Sequence, residues 1–165
     1  MQQELTFIIE NENEMKDFGK TLGENLKKGD VVCLSGDLGA GKTTLTKAIA
    51  IGLEIDDYVT SPSYTIVNEY EGRLNLYHFD VYRINDVEEM YELGYEEYFF
   101  GSGVCIIEWA GMVEDLLPEN RIWIEIYQGD TLEKRKVFIK ASSDILSTLE
   151  TELESKLKGK LEGII

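Results

Sequence analysis

Apolar residues from Leu5 to Ile9 predict a short first strand. Behind it, Met15, Phe18, Leu22 and Leu26 recur at three- and four-residue spacing. They mark one face of a helix that Asn11 or Asn13 caps and that stops near Gly29. Val31-Val32-Cys33-Leu34 is apolar without interruption, as a strand covered on both faces requires. Helical spacing returns from Thr43 to Leu53, with Leu45, Ala48, Ile49 and Leu53 as core contacts. Thr60 to Tyr64 is polar around Pro62 and predicts an ordered loop. Thr65 to Tyr70 and Arg73 to Tyr82, rich in β-branched and aromatic residues, meet at Glu71-Gly72 and predict a hairpin.

In the second half, Asp86 and Glu89 stand at capping-box spacing and open a helix through about Tyr98. Its larger residues include Val87, Met90, Tyr91, Leu93 and Tyr95. Gly101 to Gly103 breaks the chain before a second buried-type run, Val104 to Ile107. Met112 to Leu117 predicts a short helix closed by Pro118. Ile122 to Tyr127 and Lys136 to Lys140 read as strands, with Gly129-Asp130 near their turn. From Ser143 to Lys158 the stripe Leu146, Leu149, Leu153, Leu157 predicts an amphipathic helix that closes the sheet's flank or docks a partner. No repeat or linker divides the chain, and its length suits a single domain over residues 1–165. The expected class is α/β: a partly parallel central sheet with antiparallel strands at its edges.

Charge narrows the function. Sixteen basic residues against thirty-two acidic ones give a net charge of −16, a surface that repels nucleic-acid backbones. Direct DNA binding is not expected, and any RNA would be held by a partner. Cys33 and Cys105 each lie in an apolar run without C-x-x-C spacing, so both read as reduced core thiols. With no leader-like N-terminus and no bilayer-length apolar run, the expected location is cytoplasmic.

Between the second predicted strand and its helix, Gly36 to Thr43 reads GDLGAGKT and fits G-x-x-x-x-G-K-[ST] at every fixed position. Strand, glycine loop and helix start together make an anion site. Backbone N–H groups of Gly36, Asp37, Leu38, Gly39, Ala40, Gly41, Lys42, Thr43 and Thr44 are the candidate phosphate cradle. Lys42 reaches the β- and γ-phosphates, and the Thr43 hydroxyl is a Mg²⁺ ligand. Magnesium in such a site also needs an acid at a strand end. Glu108 follows Val104–Ile107 directly and would hold a metal-bound water or orient the attacking one, unless it is simply a solvent-facing strand terminus.

Asp80 stands in the aromatic stretch Leu76 to Arg83, where a lone charge is costly, so its partner is either Mg²⁺ or Arg83. Arg83 is a cis-acting cation for the transferring phosphoryl group or a salt-bridge partner. His78, the single histidine, reads foremost as a packed, hydrogen-bonded imidazole. Trp109, next to Glu108, either stacks on adenine or packs in the core. The hydroxyl-rich loop at 60–64 either senses the γ-phosphate or is inert.

Taken in order, GDLGAGKTT, SPSYTIVNEY, HFDVYR, IIEWAG and the Pro118–Arg121 step closely resemble the TsaE family over residues 5 to about 140. The resemblance implies a P-loop, three-layer ATPase acting in bacterial synthesis of threonylcarbamoyladenosine on tRNA. It also implies a TsaB–TsaD partner pair, weak hydrolysis alone that rises with those partners, and contact with tRNA only through the complex. Carried over, Gly36 to Thr44 cradle ATP, Thr43 and Glu108 address Mg²⁺, Asp80 is an essential acid near the γ-phosphate or metal, and Trp109 lies by the adenine. Lys42, Asp80 and Glu108 are thus the expected catalytic set.

Two other classes use the same loop. A small-molecule kinase closes an arginine-bearing lid over its second substrate, and this chain has four arginines: Arg73, Arg83, Arg121 and Arg135. A nucleotide-dependent binding switch without turnover is the other, although the N-K-x-D string that reads guanine is absent.

Overall fold

The apolar runs satisfy their backbone hydrogen bonds in one eight-stranded sheet, ordered β3-β4-β5-β2-β6-β7-β1-β8. The computed structural model describes residues 2–36, 41–60, 62, 66–82, 84–157 and, as backbone alone, 161–164. The elements are β1 (Gln2–Ile9), α1 (Glu12–Asn25), β2 (Val31–Gly36), α2 (Lys42–Gly52), β3 (Val67–Tyr70) and β4 (Leu76–Asp80). They continue with α3 (Glu88–Leu93), α4 (Tyr95–Phe99), β5 (Val104–Glu108), a 3-10 helix at Ala110–Leu116 and β6 (Ile122–Gln128). Next come β7 (Arg135–Ser142), α5 (Ser143–Leu153) and β8 (Leu161–Ile164).

Strands β4, β5, β2 and β6 run parallel. β3 joins one side antiparallel, and β7, β1 and β8 extend the other. Alternation along the central strands sorts the core into two layers. Val32, Leu34, Val104, Ile106, Ile122 and Ile124 pack with Phe18 and Leu22 of α1, Leu45 and Ile49 of α2, and Leu146 and Leu149 of α5. Val31, Cys33, Cys105 and Ile107 pack on the opposite face with Met90 of α3, Phe99 of α4 and Val113. The arrangement is therefore helices, sheet, helices, and the runs Val31 to Leu34 and Val104 to Ile107 are apolar without interruption because both faces are covered there.

Helices α1 and α2 cross with almost no space between backbones. A Cβ on Gly23 would stand 2.2 Å from the Ile49 carbonyl oxygen, and one on Gly52 would stand 2.3 Å from that of Lys20. Glycine at this crossing is a packing requirement.

Several boundaries differ from the sequence expectation. The first strand begins at Gln2, and the third and fourth are shorter than expected, with residues 71–75 between them. The helix expected through Tyr98 is two short helices, because Gly94 takes the left-handed conformation (φ 76°) and ends the first. The helix starts later than expected, with Val87 rather than Asp86 at its cap position and no side-chain cap there, although both acids bond the approach to it: Glu88 N–H donates to Asp86 Oδ1 at 3.1 Å, and Asn85 N–H to Glu89 Oε2 at 2.7 Å. The helix expected to reach Lys158 ends at Leu153, although Leu157 is still buried. Beyond it β8 pairs with β1, covering what would otherwise be an open edge, and the pattern had not marked it. No helix among the described residues is long and apolar enough to cross a membrane.

Candidate functional site

Because four central strands are parallel, their C-terminal ends lie along one rim, where open α/β sheets bind ligands. β2 ends at Gly36, and α2 begins after Gly41; both glycines hold positive φ, 142° and 112°, which side-chain-bearing residues rarely adopt. Gly41 is the N-cap of α2 and supplies no capping side chain, and the first turn carries no acid. The cap residue therefore offers the opening N–H groups of that helix no side-chain acceptor. Asp37, Leu38, Gly39 and Ala40, which complete the loop, lie outside the described residues, as do Ser61, Ser63, Tyr64, Thr65 and Arg83.

Lys42 is buried, and its ammonium donates to the Gly36 carbonyl at 2.6 Å while lying 4.4 Å from the centre of the Trp109 ring. Such a cation–π contact orients a lysine without neutralising it. Thr43 is exposed on the first turn, and Thr44 is half-buried beside it.

The acids come from two neighbouring strands. Asp80 ends β4 and Glu108 ends β5, directly opposite each other in register, and Glu108 is also in register with Leu34 of β2. Strand alternation puts Asp80, His78 and Glu108 on the face covered by α2, the face of Lys42. Side by side without a cation, two carboxylates repel; a site built this way suits a divalent ion. Glu108 is 4% exposed and its Oε2 meets His78 Nε2 at 2.5 Å; His78 is 1% exposed. Asp80 is half-buried, and its Oδ1 accepts from Tyr82 N–H at 3.0 Å.

Among the described residues no group of three or more His, Cys, Asp or Glu side chains forms a metal cage. The donors present are a hydroxyl and carboxylates, hard oxygens of the kind Mg²⁺ uses when most of its shell is water and phosphate.

Trp109 has the left-handed backbone conformation (φ 63°), which costs a non-glycine residue about 1–2 kcal/mol. It is held by its N–H to the Leu34 carbonyl at 3.1 Å and by Met112 N–H to its own carbonyl at 3.0 Å. The turn brings its ring against Tyr82, with centroids 4.6 Å apart, and under Lys42.

Three features had no sequence signal. The His78–Glu108 contact and the Lys42–Trp109 contact join residues far apart in the chain. The third is a cavity of about 230 Å³ between Asn11 and Met15 of the α1 start, Gly41 and Thr44, and Leu132 and Arg135 of the β6–β7 connection. Cys33 and Cys105 face the other layer; burial pushes both thiols up to about 12, so neither is a nucleophile at neutral pH.

The sequence model of the family described as threonylcarbamoyl adenosine biosynthesis protein TsaE matches residues 9–137. A Bacillus subtilis protein named tRNA threonylcarbamoyladenosine biosynthesis protein TsaE is 46% identical over 137 residues, 82% of this chain and 85% of the relative. A Treponema pallidum protein of the same name is 44% identical over 109 residues, 66% of this chain and 81% of the relative. The crystal structure of Bacillus subtilis YdiB superposes with a TM-score of 0.72 at 38% identity, covering 94% of this chain and 97% of that one.

Proposed function

The chain belongs to the TsaE family, whose role is in tRNA threonylcarbamoyladenosine biosynthesis, and from that premise we propose that it is a Mg²⁺-dependent ATPase serving a TsaB–TsaD complex in the cytoplasm. One observation carries the reading: an uncapped helix start led by glycine, with the Lys42 ammonium beside it, shares a face with the paired ends Asp80 and Glu108.

In this reading the amides opening α2, with Lys42, hold the ATP phosphates, and the ammonium moves from Gly36 and Trp109 to a phosphate oxygen. Thr43 would ligate Mg²⁺ through its hydroxyl, and Asp80 and Glu108 would hold metal-bound or attacking water. When bound, the metal neutralises charge on the phosphates and leaves the terminal phosphorus open to attack. The resemblance implies Trp109 by the adenine; its contact with Lys42 favours the terminal-phosphate side instead, and Trp109 is assigned there. The ribose and base then enter the cavity by Thr44. An acidic subunit needs no basic face if its partners hold the tRNA.

The described arginines support hydrolysis over transfer to a second substrate, because each is engaged within the fold. Arg73 donates to the carbonyls of Gly23 and Leu26, Arg121 to that of Pro118, and Arg135, on the wall of the cavity by Thr44, to those of Leu132 and Lys134.

The test is phosphate release from Mg-ATP with no acceptor present. Wild type turns over slowly and faster with TsaB and TsaD added. Each of Lys42→Ala, Thr43→Ala and Asp80→Ala lowers the rate by about 100-fold, the scale of losing one transition-state donor. Wild-type rates in all three would end the proposal.

A further inference from the structure

The only buried ion-pair geometry among the described residues joins His78 to Glu108, and nothing in the reading above uses the histidine. Its surroundings make an imidazole a poor packing choice. His78 shares its face with Leu76 and faces Ile106 in register, and its Nδ1 is buried without a hydrogen-bond partner among the described residues. A leucine would fill an apolar slot without leaving a polar atom unpaired. The contact with Glu108 is what an imidazole adds.

The bond also assigns the hydrogens. With Glu108 ionised, Nε2 carries the hydrogen and donates it to Oε2, and Nδ1 keeps a bare lone pair. The opposite assignment would bury an unpaired N–H at Nδ1, the costlier arrangement. Among the described residues His78 is the sole hydrogen-bond partner of the Glu108 carboxylate, so Oε1 is uncommitted. A carboxylate with one oxygen tied by a fixed donor has lost most of its rotational freedom.

We propose that His78 is a positioning residue for Glu108: its Nε2–H holds one carboxylate oxygen so that the other is kept for the metal-bound water. The proposal rests on the Mg-ATP reading above. Partners of this kind behind a metal-site ligand are worth about 10–100-fold in affinity or activity.

Two polar variants separate positioning from packing. Glutamine places its amide nitrogen where Nε2 stands, whereas asparagine reaches only as far as Nδ1. His78→Asn should lower kcat by about 10-fold with little change in KM for ATP, and His78→Gln should restore most of the loss. In a Glu108→Gln background, His78→Asn should add nothing, because the two act as one unit. The second readout needs no turnover: by calorimetry, the Mg²⁺ concentration that half-saturates tight ATP binding should rise about 10-fold in His78→Asn and stay near wild type in His78→Gln.

Equal behaviour of the two variants in both assays, or an undiminished effect in the Glu108→Gln background, would overturn the proposal. If wild type binds Mg-ATP without hydrolysing it, the ATPase reading falls and the Mg²⁺ titration still decides the role of His78. If wild type binds no nucleotide, both fall.

Discussion

Helices α1 and α2 lie against each other in one layer, bury their faces in the same core, and begin in opposite ways. α1 is closed by its own side chains: Asn11 Oδ1 accepts from Glu14 N–H at 2.9 Å, and Glu14 Oε1 accepts from Glu10 N–H at 2.9 Å. Glu12 and Glu14 add negative charge to its first turn. α2 begins on a glycine, has no capping side chain and carries no acid in its first turn. Free N–H groups at a helix start are a cost unless something accepts from them. A chain with thirty-two acids keeps them all from this one turn, as the proposed phosphate site requires.

The strongest way to break the contrast is to give α2 what α1 has. Thr44 stands third in its helix, as Glu14 does in α1, so Thr44→Glu supplies a competing carboxylate. A unit charge about 4 Å from a phosphate costs about 4 kcal/mol at an effective dielectric near 20. ATP affinity by calorimetry should fall at least about 100-fold, while stability rises by about 0.3–1 kcal/mol.

Weaker in effect is Gly23→Ala, which attacks the crossing that sets α2 in place. Alanine improves helix propensity by about 1 kcal/mol, but its methyl would meet the Ile49 oxygen at 2.2 Å, and overpacking of that kind costs about 1–3 kcal/mol. Backbone atoms cannot step aside as a flexible side chain can, so the clash wins and urea unfolding should show a net loss. A midpoint at or above wild type would mean the helices are less tightly joined than described.

Least costly is the reciprocal change, Glu14→Ala, which opens the start of α1. It should lower stability by about 1 kcal/mol in urea unfolding and leave ATP affinity as it was. Any loss of nucleotide binding would show that the two helix starts are not independent.

Features set by neighbours in the chain were legible in the sequence. The runs of β2 and β5, the stripe of α1 and the glycine loop all announce themselves within a few residues, because burial on two faces, helical spacing and positive φ are local demands. The capping-box spacing of Asp86 and Glu89 outweighed Gly94 in the sequence, so one helix was expected where the glycine makes two. β8 escaped because four residues after a polar turn carry too little pattern. Contacts that depend on strand order were out of reach. His78 meets Glu108 only because β4 lies beside β5, and Leu132 reaches the start of α1 only because β6, β7 and β1 are adjacent.

The lysine resting over Trp109 makes the protein its own gauge of occupancy. An indole's emission responds to a cation held on its face, and this cation is the one a phosphate would draw away. Trp123 sits in a separate setting, with Arg121 over its ring and Glu125 on its nitrogen, and supplies a steady background. If ATP binds as proposed, its arrival and departure can therefore be followed in the light the unmodified chain gives off.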